Sequence, residues 1–170
     1  MKDINMFVAF DIETTGLSPK YNQIIEIAAL KYKNGQQVDS FHSLINPDIP
    51  IPWRITQITG ITTNMIKDAP AIQVVLPKFI GFIEDYPLVA HNSNFDMGFI
   101  KNKASLLNIT VNNRVIDTLH ISRKAFPSLQ NHKLNTLCQH LDIALKEHHR
   151  AMADSAAAAE IFLKCMKAAN

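Results

Sequence analysis

Residues 6–16, Met-Phe-Val-Ala-Phe-Asp-Ile-Glu-Thr-Thr-Gly, constrain the fold of this chain more than any other stretch. Met6 to Phe10 are apolar without a break. A strand with one wet face alternates apolar and polar residues. One that does not alternate is covered on both faces, as the central strand of a helix-flanked sheet is. The run then meets Asp11 and Glu13, one residue apart. On a strand, residues two apart share a face. Both carboxylates therefore come to one spot at the end of the most buried element, provided the strand stays regular through Thr14. Two crowded carboxylates raise each other's pKa, and a divalent cation removes that conflict. A pair of exposed acids capping the Thr-Thr-Gly turn is the simpler alternative for this motif taken alone.

The elements that follow build a sheet around that strand. Residues 24–45 read as two strands joined at Asn34-Gly35, the strongest short hairpin signal, so the chain opens with three antiparallel strands. Residues 46–52 form a Pro-rich extended connection, followed by short helical pieces over 53–58 and 63–67. Asp68-Ala69-Pro70 reads as a helix start with Pro70 in the first turn. Ile72, Val75, Leu76, Phe79, Ile80 and Ile83 follow at helical spacing, and Pro77 inside that pattern predicts a kink or a break. A short buried strand is expected over 87–91 and a helix over 96–108. A last strand over 114–119 runs into another helix toward Phe126-Pro127, an amphipathic helix spans 133–141, and an alanine-rich helix spans 153–169. The order is β-β-β-α-β-α-β-α-α. It implies an α/β fold with a mixed sheet and helices on both faces.

The chain has 170 residues, 47% apolar and 19% charged, which fits one globular domain over 1–170. No apolar run approaches the roughly 20 residues that cross a bilayer. The N-terminus reaches Asp11 and Glu13 too soon for a signal peptide, so a soluble, cytoplasmic protein without a membrane partner is expected. A net charge of +2 does not by itself point to nucleic acid. Cys138 and Cys165 are not spaced as a metal pair and read as small buried hydrophobes.

Two further segments carry chemistry. In residues 91–99, His91 ends a strand and Asp96 opens a helix. In residues 148–160, His149 precedes Asp154 by five positions near the start of the last helix. Each has a bland reading: an acid in the first helical turn favours the helix dipole, and Asn92 or Asn94 is a possible cap. Together with Asp11 and Glu13, however, they supply oxygen ligands from three separated segments. That set suits magnesium or manganese. Zinc is disfavoured, because no His/Cys cluster has its spacing. Two such ions about 4 Å apart are a standard device for attack on a phosphodiester, with a histidine as general base.

Phe-Asp-Ile-Glu-Thr-Thr-Gly-Leu (10–17), Val-Ala-His-Asn-Ser-Asn-Phe-Asp (89–96) and His-His-Arg-Ala-Met-Ala-Asp (148–154) resemble, in order and spacing, the three motifs of the DEDDh 3′–5′ exonucleases. Residues 115–143 and the His-His-Arg-Ala segment are similar to the proofreading exonuclease domain of PolC-type and epsilon-type bacterial DNA polymerase III. The resemblance spans Phe7 to about Lys167. It implies a ribonuclease-H-like fold with a five-stranded mixed sheet. It also implies two Mg2+ or Mn2+ ions. Asp11 would bridge them, Glu13 and Asp154 would ligate the first, and Asp96 would bind metal directly or through water. His149 would be the base; His148 is its rival by composition, and the five-residue spacing to Asp154 favours His149.

The same resemblance assigns a seat for the 3′ end to the backbone at Thr14 and Thr15, a wedge to Leu17, and flanking roles to Phe95, Ile61, His91 and Asn92. For Leu17, Phe95 and Ile61, buried structural roles stand beside these. Lys101, Lys103, Arg114, Arg123, Lys124 and Lys133 form either a basic rim toward the substrate strand or a solvated scatter. The implied substrate is a single-stranded or frayed DNA 3′ end, with a replicative polymerase as possible partner and a monomer favoured. An RNA-directed relative and a replisome binding module of little nuclease activity are the alternatives. The chain ends soon after its last helix, without the long tether of epsilon-type subunits, which weakens the partner reading unless the sequence is a fragment.

Overall fold

The computed structural model describes residues 4–145 and 149–168. Its sheet comprises β1 (Met6–Thr14), β2 (Ile24–Lys33), β3 (Gln36–Leu44), β4 (Leu88–Ala90) and β5 (Val115–Asp117), in the order β3-β2-β1-β4-β5. The helices are α1 (Trp53–Thr59), α2 (Thr63–Ile66), α3 (Ile72–Ile83), α4 (Asn94–Leu106), α5 (Thr118–Ala125), α6 (Leu134–His140) and α7 (Ala151–Ala168). The first three strands are antiparallel, while β4 runs parallel to β1 and β5 parallel to β4. The sheet is mixed, as expected, and β1 is its central strand.

The unbroken apolar run of β1 is explained by two cores. Val8, Phe10 and Ile12 join Val75, Leu76 and Phe79 of α3 and Met97, Phe99 and Ile100 of α4 on one face. Phe7 and Ala9 join Leu30, Tyr32, Val89 and, from α7, Ala159 and Phe162 on the other. Alternation places Asp11 and Glu13 on the second face, in line with Phe7 and Ala9. That row of the strand changes from apolar to acidic as it approaches the edge of the core. The β2–β3 hairpin turns at Asn34 and Gly35, with φ of 52° and 78°, and pairs Lys33 with Gln36. Both turn residues occupy the left-handed region that a two-residue hairpin demands.

Two expectations need correction. Pro77 lies inside α3, and the helix continues through it from Ile72 to Ile83. The apolar face, with Val75, Leu76, Phe79 and Ile83 buried, holds the element together across the one hydrogen bond that proline removes. Pro70 is outside that helix, whose N-cap is Ala71; its carbonyl instead accepts the Asn46 N–H at 3.0 Å. Cys138 and Cys165 are buried in a shared apolar cluster, and burial pushes both thiols up to about 11. Among the described residues, no helix is long and apolar enough to cross a membrane.

A buried carboxylate that sequence reading passed over fixes the start of α7. Glu26, fully buried in β2, stands directly opposite Glu13. Its oxygens accept from Arg150 Nη2 at 2.8 Å and Nε at 3.2 Å, from the Ala151 backbone N–H at 3.0 Å, and sit 2.8 Å from His42 Nε2. Burial raises its pKa, but these bonds outweigh burial and hold it below its usual value. Ala151 is the first residue of α7, so this cluster ties the helix to the sheet two residues after His149 and three before Asp154. Removing one side of a buried ion pair costs about 3–5 kcal/mol, so Glu26→Ala should lower the thermal midpoint by roughly 10 °C. An unchanged midpoint in calorimetry would show that the cluster does not anchor α7.

Candidate active site

The site is built where β1 outlasts its neighbour. β4 ends at Ala90, while β1 runs on to Thr14. The Val8 N–H donates to the Pro87 carbonyl at the start of β4, so the N–H of Ile12, four residues on, points the same way, past the end of the shorter strand. Asp96 Oδ1 accepts that N–H at 3.2 Å. Asp96 lies in the first turn of α4 and is 3% exposed. The first-turn reading is correct as far as it goes, but the side chain also spans to the central strand. Neither Asn92 nor Asn94 caps α4: the N-cap is Ser93, with no side-chain cap bond.

Asp11 and Glu13 are half-buried and share a face, because β1 stays regular through Glu13; the bulge falls immediately after it, between Glu13 and Thr14. Asp154, in the first turn of α7 and 6% exposed, closes the site from above that face. Its Oδ2 accepts the His149 backbone N–H at 3.1 Å. His149 is exposed and takes a left-handed φ of 65°, an uncommon state for a residue with a Cβ. A nitrogen of its imidazole and carboxylate oxygens of Glu13 and Asp154 all lie within 4.8 Å of one another. The rival His148 lies outside the described residues.

The electrostatics are those of an acidic site in need of a cation. Burial, and then repulsion from Asp96, Glu13, Asp154 and Glu26, hold the Asp11 carboxyl well above the usual range. Burial and the carboxylates of Asp154, Glu26 and Asp96 push Glu13 up to about 8, against a smaller opposing pull from Arg150. Burial lifts Asp96 to about 8, opposed by its own N–H and that of Ile12, and reinforced by Asp117 and Asp154. Asp117 is a second acid that sequence reading missed. It caps α5 through the Leu119 N–H and also accepts the Asn92 N–H, both at 2.9 Å. An oxygen-rich donor set under this mutual repulsion suits a hard divalent cation.

The residues expected to touch substrate separate on inspection. The Thr14 hydroxyl donates to the Gly16 carbonyl at 2.6 Å, and the Thr15 hydroxyl accepts the Gln23 N–H at 2.9 Å. Both side chains are buried in shaping the turn, which leaves its backbone as the part able to meet a ligand. A Cβ on Gly16 would come within 2.7 Å of the Asn22 amide, which accepts the Ser18 N–H at 2.9 Å, so a larger residue there would have to displace that side chain. Leu17 beyond it is 84% exposed, which removes the buried structural reading. Ile61 is corrected in the other direction: it is fully buried with Ile25, Ile51 and Ile66, and presents no surface to a base. Phe95 is half-buried, with its ring 5.1 Å from that of Phe99. His91 Nδ1 lies 2.9 Å from the Thr118 hydroxyl, and Asn92 is exposed with a φ of 59°. Lys103 leaves the basic rim: it is buried, and its ammonium donates to the Pro19 carbonyl at 3.3 Å.

Comparison with known proteins agrees with this fold. Over 161 residues, covering 95% of this chain, the sequence is 53% identical to the PolC-type DNA polymerase III of Caldanaerobacter subterraneus subsp. tengcongensis. It is 48% identical over 164 residues to the same enzyme of Bacillus subtilis. The chain spans only 11–12% of the length of these relatives. Among solved structures, exonuclease X in complex with 5′-overhanging duplex DNA superposes with a TM-score of 0.78 at 26% identity, covering 95% of this chain and 91% of that one. E. coli exonuclease I in complex with a dA16 oligonucleotide shares the fold, with a TM-score of 0.80 at 18% identity, over 95% of this chain and 40% of its own. A family model described as "Exonuclease" matches residues 8–162, and the chain belongs to that exonuclease family.

Proposed function

We propose that the chain is a metal-dependent 3′–5′ exonuclease unit that releases nucleoside 5′-monophosphates from DNA 3′ ends and proofreads for a PolC-type replicative polymerase. The observation that carries this reading is the meeting of Asp11, Glu13, Asp96 and Asp154, from three separated segments, at the end of the central strand, with the His149 imidazole within 4.8 Å of two of them. The 53% identity to a PolC-type polymerase favours DNA as the substrate and a polymerase as the partner.

Asp11, Glu13, Asp96 and Asp154 would hold two Mg2+ or Mn2+ ions. When bound, such ions neutralise the phosphodiester and lower the pKa of the attacking water. The protein's own part is positional. The imidazole of His149 accepts the water proton, and its left-handed backbone, held by Asp154 and followed by the Arg150 anchor, aims the ring at Glu13 and Asp154. As the new P–O bond forms, the bond to the 3′ oxygen of the preceding nucleotide breaks, and a monophosphate leaves. The backbone of the Thr14–Gly16 turn would seat the terminal sugar, with Leu17 and Phe95 flanking its base.

The direct test is degradation of 3′-labelled single-stranded DNA, a mismatched duplex and short RNA in magnesium or manganese. DNA should be degraded, the mismatched end faster than a matched one, and Asp11→Ala should abolish the reaction. A strong preference for RNA, or equal rates for the variant, would sink this reading. His149→Ala should lower kcat roughly 10²- to 10⁴-fold while preserving the thermal shift produced by metal. Loss of that shift would make His149 a ligand rather than a base.

The raised acids also fix a pH dependence. Glu13 and Asp96 bind protons more tightly folded than unfolded, so the metal-free fold loses stability as pH rises from their ordinary values of 4.5 and 3.8 toward about 8. A cation displaces those protons and removes the repulsion, so the gain in melting temperature from magnesium or manganese should be larger at pH 8.5 than at pH 6. Equal gains at both pH values would refute a site made of these acids.

A further inference from the structure

Among the described residues, Lys103 is the one lysine that is buried. It lies in the last turn of α4, where an exposed lysine would already suit the helix dipole. Burial adds a desolvation cost, and a lysine is seldom buried without a partner. That partner is not an acid: among the described residues, no carboxylate lies within ion-pair distance of it. The ammonium donates instead to the Pro19 carbonyl at 3.3 Å, across 84 residues of chain. The reason for this lysine therefore lies in what Pro19 belongs to.

Pro19 sits in the loop of residues 15–23, which is hydrogen-bonded chiefly to itself. Its neck is closed by the Thr15 N–H on the Gln23 carbonyl at 2.8 Å and by the Gln23 N–H on the Thr15 hydroxyl at 2.9 Å. Its tip is closed by the Tyr21 and Asn22 N–H groups on the Ser18 carbonyl, at 3.1 Å and 2.8 Å, and by the Ser18 N–H on the Asn22 side chain at 2.9 Å. Such a unit keeps its own shape but is free to pivot about its neck. Two contacts with α4 hold it beyond that neck. The Lys103 ammonium grips the Pro19 carbonyl. A Cβ on Gly98 would stand 3.4 Å from Pro19 Cγ, so the proline ring lies on the helix where no side chain intervenes.

We infer that Lys103 is a positioning residue for the terminal nucleotide: it braces the 15–23 loop against α4 and so fixes Leu17, on the loop, relative to Phe95, on the helix. The inference rests on the exonuclease reading above, in which those two side chains flank the base. Leu17 is exposed, so its own packing does not place it; its position is set by the loop that carries it. Phe95 needs no such brace, because it lies in the first turn of α4 against Phe99. The four acids stand on β1, α4 and α7, and His149 just before α7, all outside the loop. The brace therefore bears on holding the 3′ end and not on the chemical step.

The test is steady-state hydrolysis of a 3′-labelled deoxythymidine decamer in manganese by Lys103→Met, which keeps the buried stem and removes the donor. KM should rise roughly tenfold, as the loss of one hydrogen bond from a charged donor implies, while kcat is unchanged. In a Leu17→Ala background the same substitution should add no further rise in KM, because the brace then has no wedge to hold. An unchanged KM, a fall in kcat alone, or equal rises in both backgrounds would overturn the inference. Backbone NMR relaxation judges the brace without substrate. The amide order parameters of Leu17, Ser18, Lys20 and Tyr21 should drop in Lys103→Met from the roughly 0.85 of rigid backbone, and unaltered values would equally refute it. Absence of hydrolysis by the unsubstituted chain tells instead against the exonuclease reading.

Discussion

Repulsion between carboxylates is the constraint on which this structure turns. Asp11, Glu13, Glu26, Asp96, Asp117 and Asp154 converge near one end of the central strand, and burial makes their mutual repulsion stronger than it is in water. Nothing about such a cluster favours folding. It is held because each acid is mounted on an element fixed by apolar packing elsewhere: β1 between two cores, α4 against the first, α7 against the second. The fold stabilises a charge arrangement that would not assemble alone, and the site is kept ready for cations.

One of the acids, Glu26, is neutralised by cationic side chains, and Asp117 is held by backbone donors. Glu26 has a guanidinium, a backbone N–H and an imidazole; Asp117 has two backbone N–H groups. Their role is to hold Arg150–Ala151 and Asn92 in place. Asp11, Glu13 and Asp96 instead carry raised pKa values, from burial first and then from the charges of neighbouring carboxylates. Identical chemistry thus serves as scaffold at Glu26 and Asp117 and gathers as a buried acidic cluster at the end of β1. What sets Glu26 apart is the guanidinium and imidazole beside it, since backbone N–H groups also reach Asp96 and Asp154.

Much of this was legible in the sequence, for identifiable reasons. The non-alternating run at Met6–Phe10, the Asn34-Gly35 turn and the carboxylate spacing each express a local rule with a short range, and each reappears in place. What stayed hidden depends on contacts across the sheet. Glu26 lies in an apolar run, Ile-Ile-Glu-Ile, where a charge is out of place. That anomaly was the available signal, but its partner Arg150 lies 124 residues away. Ile61 and Leu17 could not be told apart by residue type, and only packing shows one sealed and the other open. Pro77 misled because propensity was weighed without the buried face that carries α3 through it.

The left-handed backbone of His149 shows how the fold holds a histidine beside the acidic cluster. His149 lies between the carboxylates of Glu13 and Asp154 and a cleft bordered by Arg123 and Lys133. Its own N–H is taken by Asp154, and Arg150 after it is pinned to Glu26. Positive φ costs about 1–3 kcal/mol at a non-glycine residue and persists only where surrounding contacts over-determine it. Here they do, from both sides, and both contacts end on carboxylates. A glycine would adopt this backbone without strain but would leave no imidazole between the carboxylates and the cleft. The strain at residue 149 is therefore best understood as the cost of placing an imidazole beside the carboxylates of Glu13 and Asp154.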